Sequence, residues 1–221
     1  VTTIAIMQPY FLPYAGYFRL LAAADIFAVY DCVQFPRRGW VHRNRFTAPD
    51  GELHWLTLPL AYAPQDCAIK DIHMAPNAVE EMADRVGRHR VLADHADHPL
   101  VRRIARPAPM LVDTLCDGMQ AVAETLSLPW QVIRTSSLGL PAALRGQDRI
   151  LAICKELGAE TYVNAPGGRE LYDTAAFARQ SVDLRFLAPW SGSHASILER
   201  LLQTDAAALA EDIRRQTIHA P

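Results

Sequence analysis

The 221-residue chain is half hydrophobic and carries 22 lysines and arginines against 24 aspartates and glutamates, a formal net charge of -2. That length and apolar share support one sizeable core and exclude a disordered or fibrous chain. The near-neutral balance removes any global electrostatic case for nucleic acid or an acidic membrane surface.

The opening residues Ile4 to Met7 read as an apolar strand, followed by a turn rich in proline and aromatic rings (Gln8-Pro9-Tyr10-Phe11-Leu12-Pro13-Tyr14) and then, from Tyr17 to Ala24, by helix formers. Ile26 to Tyr30 is a continuous apolar run suited to a buried parallel strand, which completes a strand-helix-strand unit. In an open α/β sheet ligands sit beyond the carboxyl ends of the strands. Gln8, Tyr10, Tyr14 and Tyr17 after the first strand, and Asp31, Cys32 and Gln34 after the second, are therefore expected side by side.

Two alternating runs, Pro36 to Phe46 and Leu53 to Pro59, flank Pro49-Asp50-Gly51 and predict a β-hairpin. Strand alternation sends Trp40, His42 and Asn44 to one face and Val41, Arg43 and Arg45 to the other, which divides the basic cluster. Residues 61–128 read as a mainly helical insertion or cap, with a short strand at Ile69 to His73 and helices at Ala78–Leu92 and Ala108–Leu126. From Pro129 the α/β pattern returns. Strands are expected at Trp130–Arg134, Thr161–Asn164 and Val182–Leu187, and helices at Gln147–Leu157, Ile197–Leu202 and Asp205–Ile213, with Gly158 ending the first of these helices. The predicted fold is a three-layer α/β domain with a mostly parallel, Rossmann-like sheet. Residues 1–60 form its first half with the hairpin, residues 61–128 the insertion and residues 129–221 the second half, within a single domain.

Cys32, Cys67, Cys116 and Cys154 show no Cys-x-x-Cys spacing, which fits free thiols of a reducing compartment and gives no zinc or disulfide framework. No basic run precedes the first apolar segment, and no apolar stretch approaches the roughly 18 residues of a membrane helix, so a cytoplasmic protein without a membrane partner is expected.

Each candidate residue has a plain structural alternative. The loop tyrosines can donate hydrogen bonds to a ligand or pack inward behind a proline-stiffened turn. Arg38, Arg43, Asn44 and Arg45 around Trp40 suit a phosphate or carboxylate, or else stand solvated and paired with neighbouring acids. Arginine beside tryptophan also suits base stacking, against which the net charge weighs. Asp31 can serve as general base or amine anchor, or cap a strand end. Cys32 can be a nucleophile if His42 or His194 folds close to it, or merely pack. Ser136 and Ser137 can bind an anion or form a turn, and Gly167 with Gly168 can admit a ligand to the backbone or simply turn the chain. Asp94-His95-Ala96-Asp97-His98 is better read as an exposed connection than as a set of metal ligands.

Several stretches, Ile6 to Phe18, Tyr30 to Phe35, Arg38 to Arg45, Trp55 to Pro59 and Thr135 to Leu138, together resemble the WbqC-like family of bacterial proteins, which are often found with polysaccharide and natural-product biosynthesis. Many members carry a second aspartate where this chain has Cys32. More distantly, Phe11-Leu12-Pro13-Tyr14-Ala15-Gly16-Tyr17 is similar to the phosphate-binding loop of the nucleotidyltransferase superfamily, with Tyr14 and Tyr17 in place of two histidines. Tyrosine donates a hydrogen bond but stays neutral near pH 7, so the resemblance implies a nucleotide-binding fold more than adenylyl transfer. The family implies a transferase or ligase that forms an amide on an amino-bearing small molecule or sugar. Asp31 would take the amine's proton, and Gln8, Tyr14 and Arg43 would orient the donor, whether aminoacyl-tRNA, a carrier-protein thioester, or ATP plus an acid. The alternatives are a Cys32-dependent acyltransferase or hydrolase and a non-catalytic ligand-binding or scaffold protein.

Overall fold

The computed structural model describes residues 1–48 and 50–219. Among the described residues seven strands form, in chain order β1 (Thr3–Met7), β2 (Ile26–Val29), β3 (Arg43–Thr47), β4 (Leu53–Thr57), β5 (Val132–Arg134), β6 (Thr161–Asn164) and β7 (Asp183–Phe186). Five build one sheet in the order β5-β2-β1-β6-β7, with every pairing parallel. The order is that of a doubly wound fold, in which the chain builds outward from β1 on one side and then returns to the other.

Alternation along the strands explains the two cores. Ala5, Phe27, Val29 and Val163 face one side, while Ile4, Ile6, Ala28, Tyr162 and Leu184 face the other. Strands buried on both faces lose the polar alternation of a half-exposed sheet, which is why they read as unbroken apolar runs.

The helices are α1 (Arg19–Ala23), α2 (Ala78–Arg88), α3 (Arg90–Ala93), α4 (Pro99–Ile104), α5 (Leu111–Thr125), α6 (Gly146–Glu156), α7 (Thr174–Ala178), α8 (Ile197–Gln203) and α9 (Ala206–Arg215). Side chains of α1, α2, α5, α9 and the β3–β4 hairpin share the first core, and those of α6 and α7 the second. Gly158 ends α6 in the left-handed conformation at φ 62°, as its position in the sequence predicts. Among the described residues no helix is long and apolar enough to cross a membrane.

Three local expectations are corrected. Ile69 to His73 forms no strand: Ile69–Asp71 is a 3-10 turn, and His73 makes only an isolated bridge to Met110. The helix expected over Ala78–Leu92 breaks at His89, whose backbone is extended and whose ring lies buried 5.8 Å from Phe46. Tertiary packing there overrides helix propensity.

The third correction concerns the hairpin. Its first strand begins only at Arg43, so Trp40 lies in the preceding turn and does not follow strand alternation. Arg43 and Arg45 share a face opposite Asn44, as expected, but Trp40 joins the arginines through contact with Arg45. Gly51 turns the hairpin at φ 82°, and Pro49 of the expected turn lies outside the described residues. The hairpin is pinned to α8 by the buried Glu199, which accepts hydrogen bonds from the Thr47 amide and hydroxyl.

Candidate functional site

Parallel registry aligns the carboxyl ends of β1, β2 and β5. Met7 is level with Val29, and Val29 with Arg134, so the residues that follow emerge along one edge. Asp31 follows β2 and is wholly buried. Its Oδ1 accepts the Ser136 amide at 2.9 Å and the Thr135 hydroxyl at 3.2 Å, and its Oδ2 accepts the Ser136 hydroxyl at 2.6 Å. Three donors at this spacing hold a charged carboxylate where solvent cannot. Ser136 itself is exposed, so the pair reaches the surface on the serine's side.

Cys32 is half-buried beside them. Its Sγ lies 3.2 Å from Thr135 Oγ1, and Arg149 Nε donates to it at 3.1 Å. Arg149, from α6, is buried and also donates to the carbonyls of Pro141 and Leu144. The loop carrying Asp31 is clamped from outside by Lys70 N–H on the Asp31 carbonyl at 2.9 Å and by Ile69 N–H on the Val33 carbonyl at 2.9 Å. Arg134, at the end of β5, is paired with Asp113 of α5 at 2.5 Å. Burial pushes the neighbouring Cys116 thiol up to about 11, which keeps it protonated.

The opening loop is built to hold its shape. Leu12 stands at φ 47°, a left-handed conformation costing an L-residue with a bulky side chain roughly 1–3 kcal/mol. Its carbonyl accepts from Asn44 Nδ2 at 2.5 Å and from Ser196 Oγ at 3.0 Å, and both donors are buried. Asn44 Nδ2 also reaches the Phe11 carbonyl at 3.1 Å. Phe11 N–H donates to the Trp40 carbonyl at 3.2 Å, tying the loop to the turn before β3.

Tyr17 is buried, its hydroxyl donates to the Gln8 carbonyl at 2.8 Å, and desolvation raises its pKa well above the usual phenol value. Tyr10 is half-buried 5.5 Å from Tyr17, and burial raises its pKa as well. Both are neutral donors at neutral pH. Tyr14 stacks on His194 at 4.8 Å. A side chain on Gly16 would meet Tyr14 Cε2 at 2.4 Å and Trp190 Cγ at 2.8 Å, so only glycine lets the two rings close over that turn. Arg19, 1% exposed, donates to the carbonyls of Gly16, Ala188 and Gln216 and fixes the carboxyl-terminal segment against the same loop.

The sequence-derived candidates thus fall into two groups. Asp31, Cys32 and Ser136 come together with Thr135 and Arg149. Trp40, Arg43 and Arg45 come together with Trp55: Arg43 lies 4.1 Å above the Trp55 ring, and Arg45 lies 5.3 Å from the Trp40 ring and 5.4 Å from that of Trp55. Gln34 and Arg38 line a cleft of about 830 Å³ with Arg37 and Tyr62.

The remaining candidates are placed by local contacts. Ser137 donates back to the Arg134 carbonyl. Gly167 is open to solvent, and the close approach is at Gly168, where a Cβ would meet Asn164 Nδ2 at 2.4 Å. His42 stands edge-on to Phe35 at 5.0 Å, its Nδ1 buried without a hydrogen-bond partner, while Cys32 engages Thr135 and Arg149 instead. Burial, and then the adjacent Arg43, push the His42 pKa down to about 4. In the Asp94–His98 stretch, His98 caps α4, accepting from the Leu100 amide, and Asp94 pairs with Arg90.

Sequence reasoning passed over Arg149 and Trp55. Arg149 sits within a helix as an ordinary surface-type residue, and only the fold brings its guanidinium to Cys32. Trp55 lies directly across from Arg45 in the hairpin register, a pairing that the turn position alone could have revealed.

Fold and site together define a doubly wound α/β protein with a carboxylate–hydroxyl pair at the carboxyl edge of its sheet. The chain belongs to the WbqC-like protein family, whose model matches residues 8–196. It is 24% identical over 198 residues to "Uncharacterized protein Rv1507c" of Mycobacterium tuberculosis, an alignment covering 81% of this chain and 79% of that protein. No solved structure matches the chain.

Proposed function

We propose that the chain is a biosynthetic transferase or ligase that forms an amide bond on an amino-bearing small molecule or sugar at the edge beside Asp31. The observation that carries this reading is the 2.6 Å bond from Ser136 Oγ to Asp31 Oδ2, which couples a fully buried carboxylate to the side chain of an exposed residue. Such a pair can remove a proton from a group that never touches the carboxylate itself.

In the proposed reaction the amine nitrogen attacks the acyl carbon of the donor. As the C–N bond forms, the nitrogen's proton passes to Ser136 Oγ while the serine's own proton passes to Asp31 Oδ2. The bond from the acyl carbon to the leaving group then breaks, and the leaving group departs with the electron pair. The proton on Asp31 returns by the same path to the leaving group or to solvent. The donor is an aminoacyl-tRNA, a carrier-protein thioester, or ATP with a carboxylic acid, in which case an acyl phosphate or adenylate forms first. Membership in the WbqC-like family supports the biosynthetic setting.

Amino sugars and simple amines incubated with each donor class, followed by mass spectrometry of the small-molecule fraction, test the reading. An amide product that disappears in Asp31→Asn is expected. The absence of product and of thermal stabilisation with every donor would sink it.

A second reading is favoured by the Arg149 N–H directed at Cys32 Sγ. Here the acyl group moves first from a thioester donor to the cysteine, releasing the donor thiol and forming an enzyme thioester that the amine then attacks. An acyl adduct at Cys32 in the intact mass supports this route, and a fully active Cys32→Ala variant excludes it.

A further inference from the structure

We propose that the outer face of the β3–β4 hairpin and the cleft beside it seat the single-stranded 3′ end of an RNA that delivers the acyl group for the transfer proposed above. The inference rests on that reading for the purpose of the RNA, and on the surface itself for its recognition.

The hairpin register places Arg45 opposite Trp55 and Arg43 opposite Thr57, all on the face away from Asn44. The turn before β3 then lays Trp40 against this face, 5.1 Å from Trp55. Large rings that belong to a core are buried, yet Trp40 is 41% and Trp55 42% exposed, with two guanidinium groups stacked among them. The turn continues into the cleft that holds Arg37, Arg38 and the fully projecting Tyr62, and Gln34 joins that cleft to the Asp31 loop.

Charge is what identifies the partner. Several arginines elsewhere on the surface are paired, Arg85 with Glu81, Arg88 with Asp84, Arg103 with Asp117 and Arg134 with Asp113, while unpaired ones such as Arg145 and Arg214 have, among the described residues, no exposed ring stacked beside them. Among the described residues no ion pair engages Arg37, Arg38, Arg43 or Arg45. Arg37 and Arg43 instead donate to backbone carbonyls, which leaves their charge uncancelled. A strip of uncancelled guanidinium groups interleaved with exposed rings matches a strand that alternates phosphates with unstacked bases. A mononucleotide would use one ring and its neighbouring cation. With a net charge of -2 the chain lacks the broad positive field of a duplex-binding protein, so the footprint is confined to a single-stranded end.

The probe is a stem-loop RNA with a protruding single-stranded 3′ CCA that carries no acyl group, titrated against tryptophan fluorescence at several salt concentrations. Saturable quenching is expected, with log K falling against log salt by about 0.7 for each phosphate engaged. Trp40→Ala and Trp55→Ala should each weaken binding by about 5- to 150-fold. Arg45→Glu and Arg38→Glu should weaken it and flatten the salt dependence. Melting curves confirm that each variant folds, and Arg38→Glu, at an exposed position, serves if a tryptophan variant does not.

Three results overturn the proposal: no saturable binding, equal binding of a blunt-ended stem-loop, or equal affinity in the same place for a nucleotide sugar. Its failure is separable from failure of the amide-forming reading. A chain that ignores the RNA but makes amide from a carrier thioester defeats only this proposal, and one that binds the RNA through these residues but yields no amide from any donor defeats only the other.

Discussion

Asp31→Asn keeps the shape of the buried side chain and removes its charge. In the native arrangement one carboxylate oxygen accepts two hydrogen bonds and the other accepts the 2.6 Å bond from Ser136 Oγ. Asparagine preserves the first two as neutral bonds, but its amide meets Ser136 Oγ as a donor, so the serine must reverse. Bonds to a charged group are worth about 1.5–3 kcal/mol and neutral ones about 0.5–1.5, so three weakened or reversed bonds forgo about 3 kcal/mol. Relief of the buried charge's desolvation offsets part of this, leaving a net loss of about 1–3 kcal/mol. For a chain of this size that lowers the melting temperature by about 2–12 °C. Loss of the base should cost about 10²- to 10⁴-fold in amide formation. Denaturant titration and product formation by mass spectrometry, run on the same preparation, separate the two effects. Asp31→Asn forming amide at the wild-type rate would refute the reasoning and leave Asp31 as a brace between β2 and β5.

Asn44→Ala removes two buried donors from the Phe11 and Leu12 carbonyls and should destabilise the chain by about 2–4 kcal/mol, with faster hydrogen exchange confined to residues 8–14. Gly16→Ala forces a Cβ into the Tyr14 and Trp190 rings and should cost about 1–3 kcal/mol in denaturant titration, whereas glycine-to-alanine changes at open sites such as Gly87 should not. Tyr17→Phe loses the hydrogen bond to the Gln8 carbonyl and should lower stability by about 1 kcal/mol. His42 binds a proton more weakly when folded, so the unfolded chain takes up more protons between pH 6.5 and about 4. Its contribution to stability is therefore complete above pH 6.5 and is lost as the pH falls to about 4, on the order of 1–2 kcal/mol after solvent screening. Stability measured across that window should fall less steeply in His42→Phe than in the wild type.

The sheet was legible because each of its strands is a short apolar run bounded by breakers, and parallel burial on both faces leaves that trace directly in the residues. Thr161–Asn164 falls where expected, and the other strands differ only at their ends. The meeting of Asp31 with Ser136 was legible for the same reason: both follow strands, and strand ends converge in a parallel sheet. What stayed hidden depends on contacts distant in the chain. His89 breaks a helix because Phe46 of the hairpin packs against it. Tyr17 spends its hydroxyl on the Gln8 carbonyl, which no local pattern reveals. The aromatic and basic hairpin cluster looked divided because strand alternation was extended three residues too far, through a stretch that is in fact a turn.

A double-mutant cycle in amide formation tests the central claim most directly, with Asp31→Asn, Ser136→Ala and the double variant compared under one donor and one amine. If the two side chains form one proton path, each single variant loses most of the rate and the double variant is no slower than the worse of the two. Independent losses that multiply in the double variant, or a Ser136→Ala variant as fast as the wild type, would contradict it.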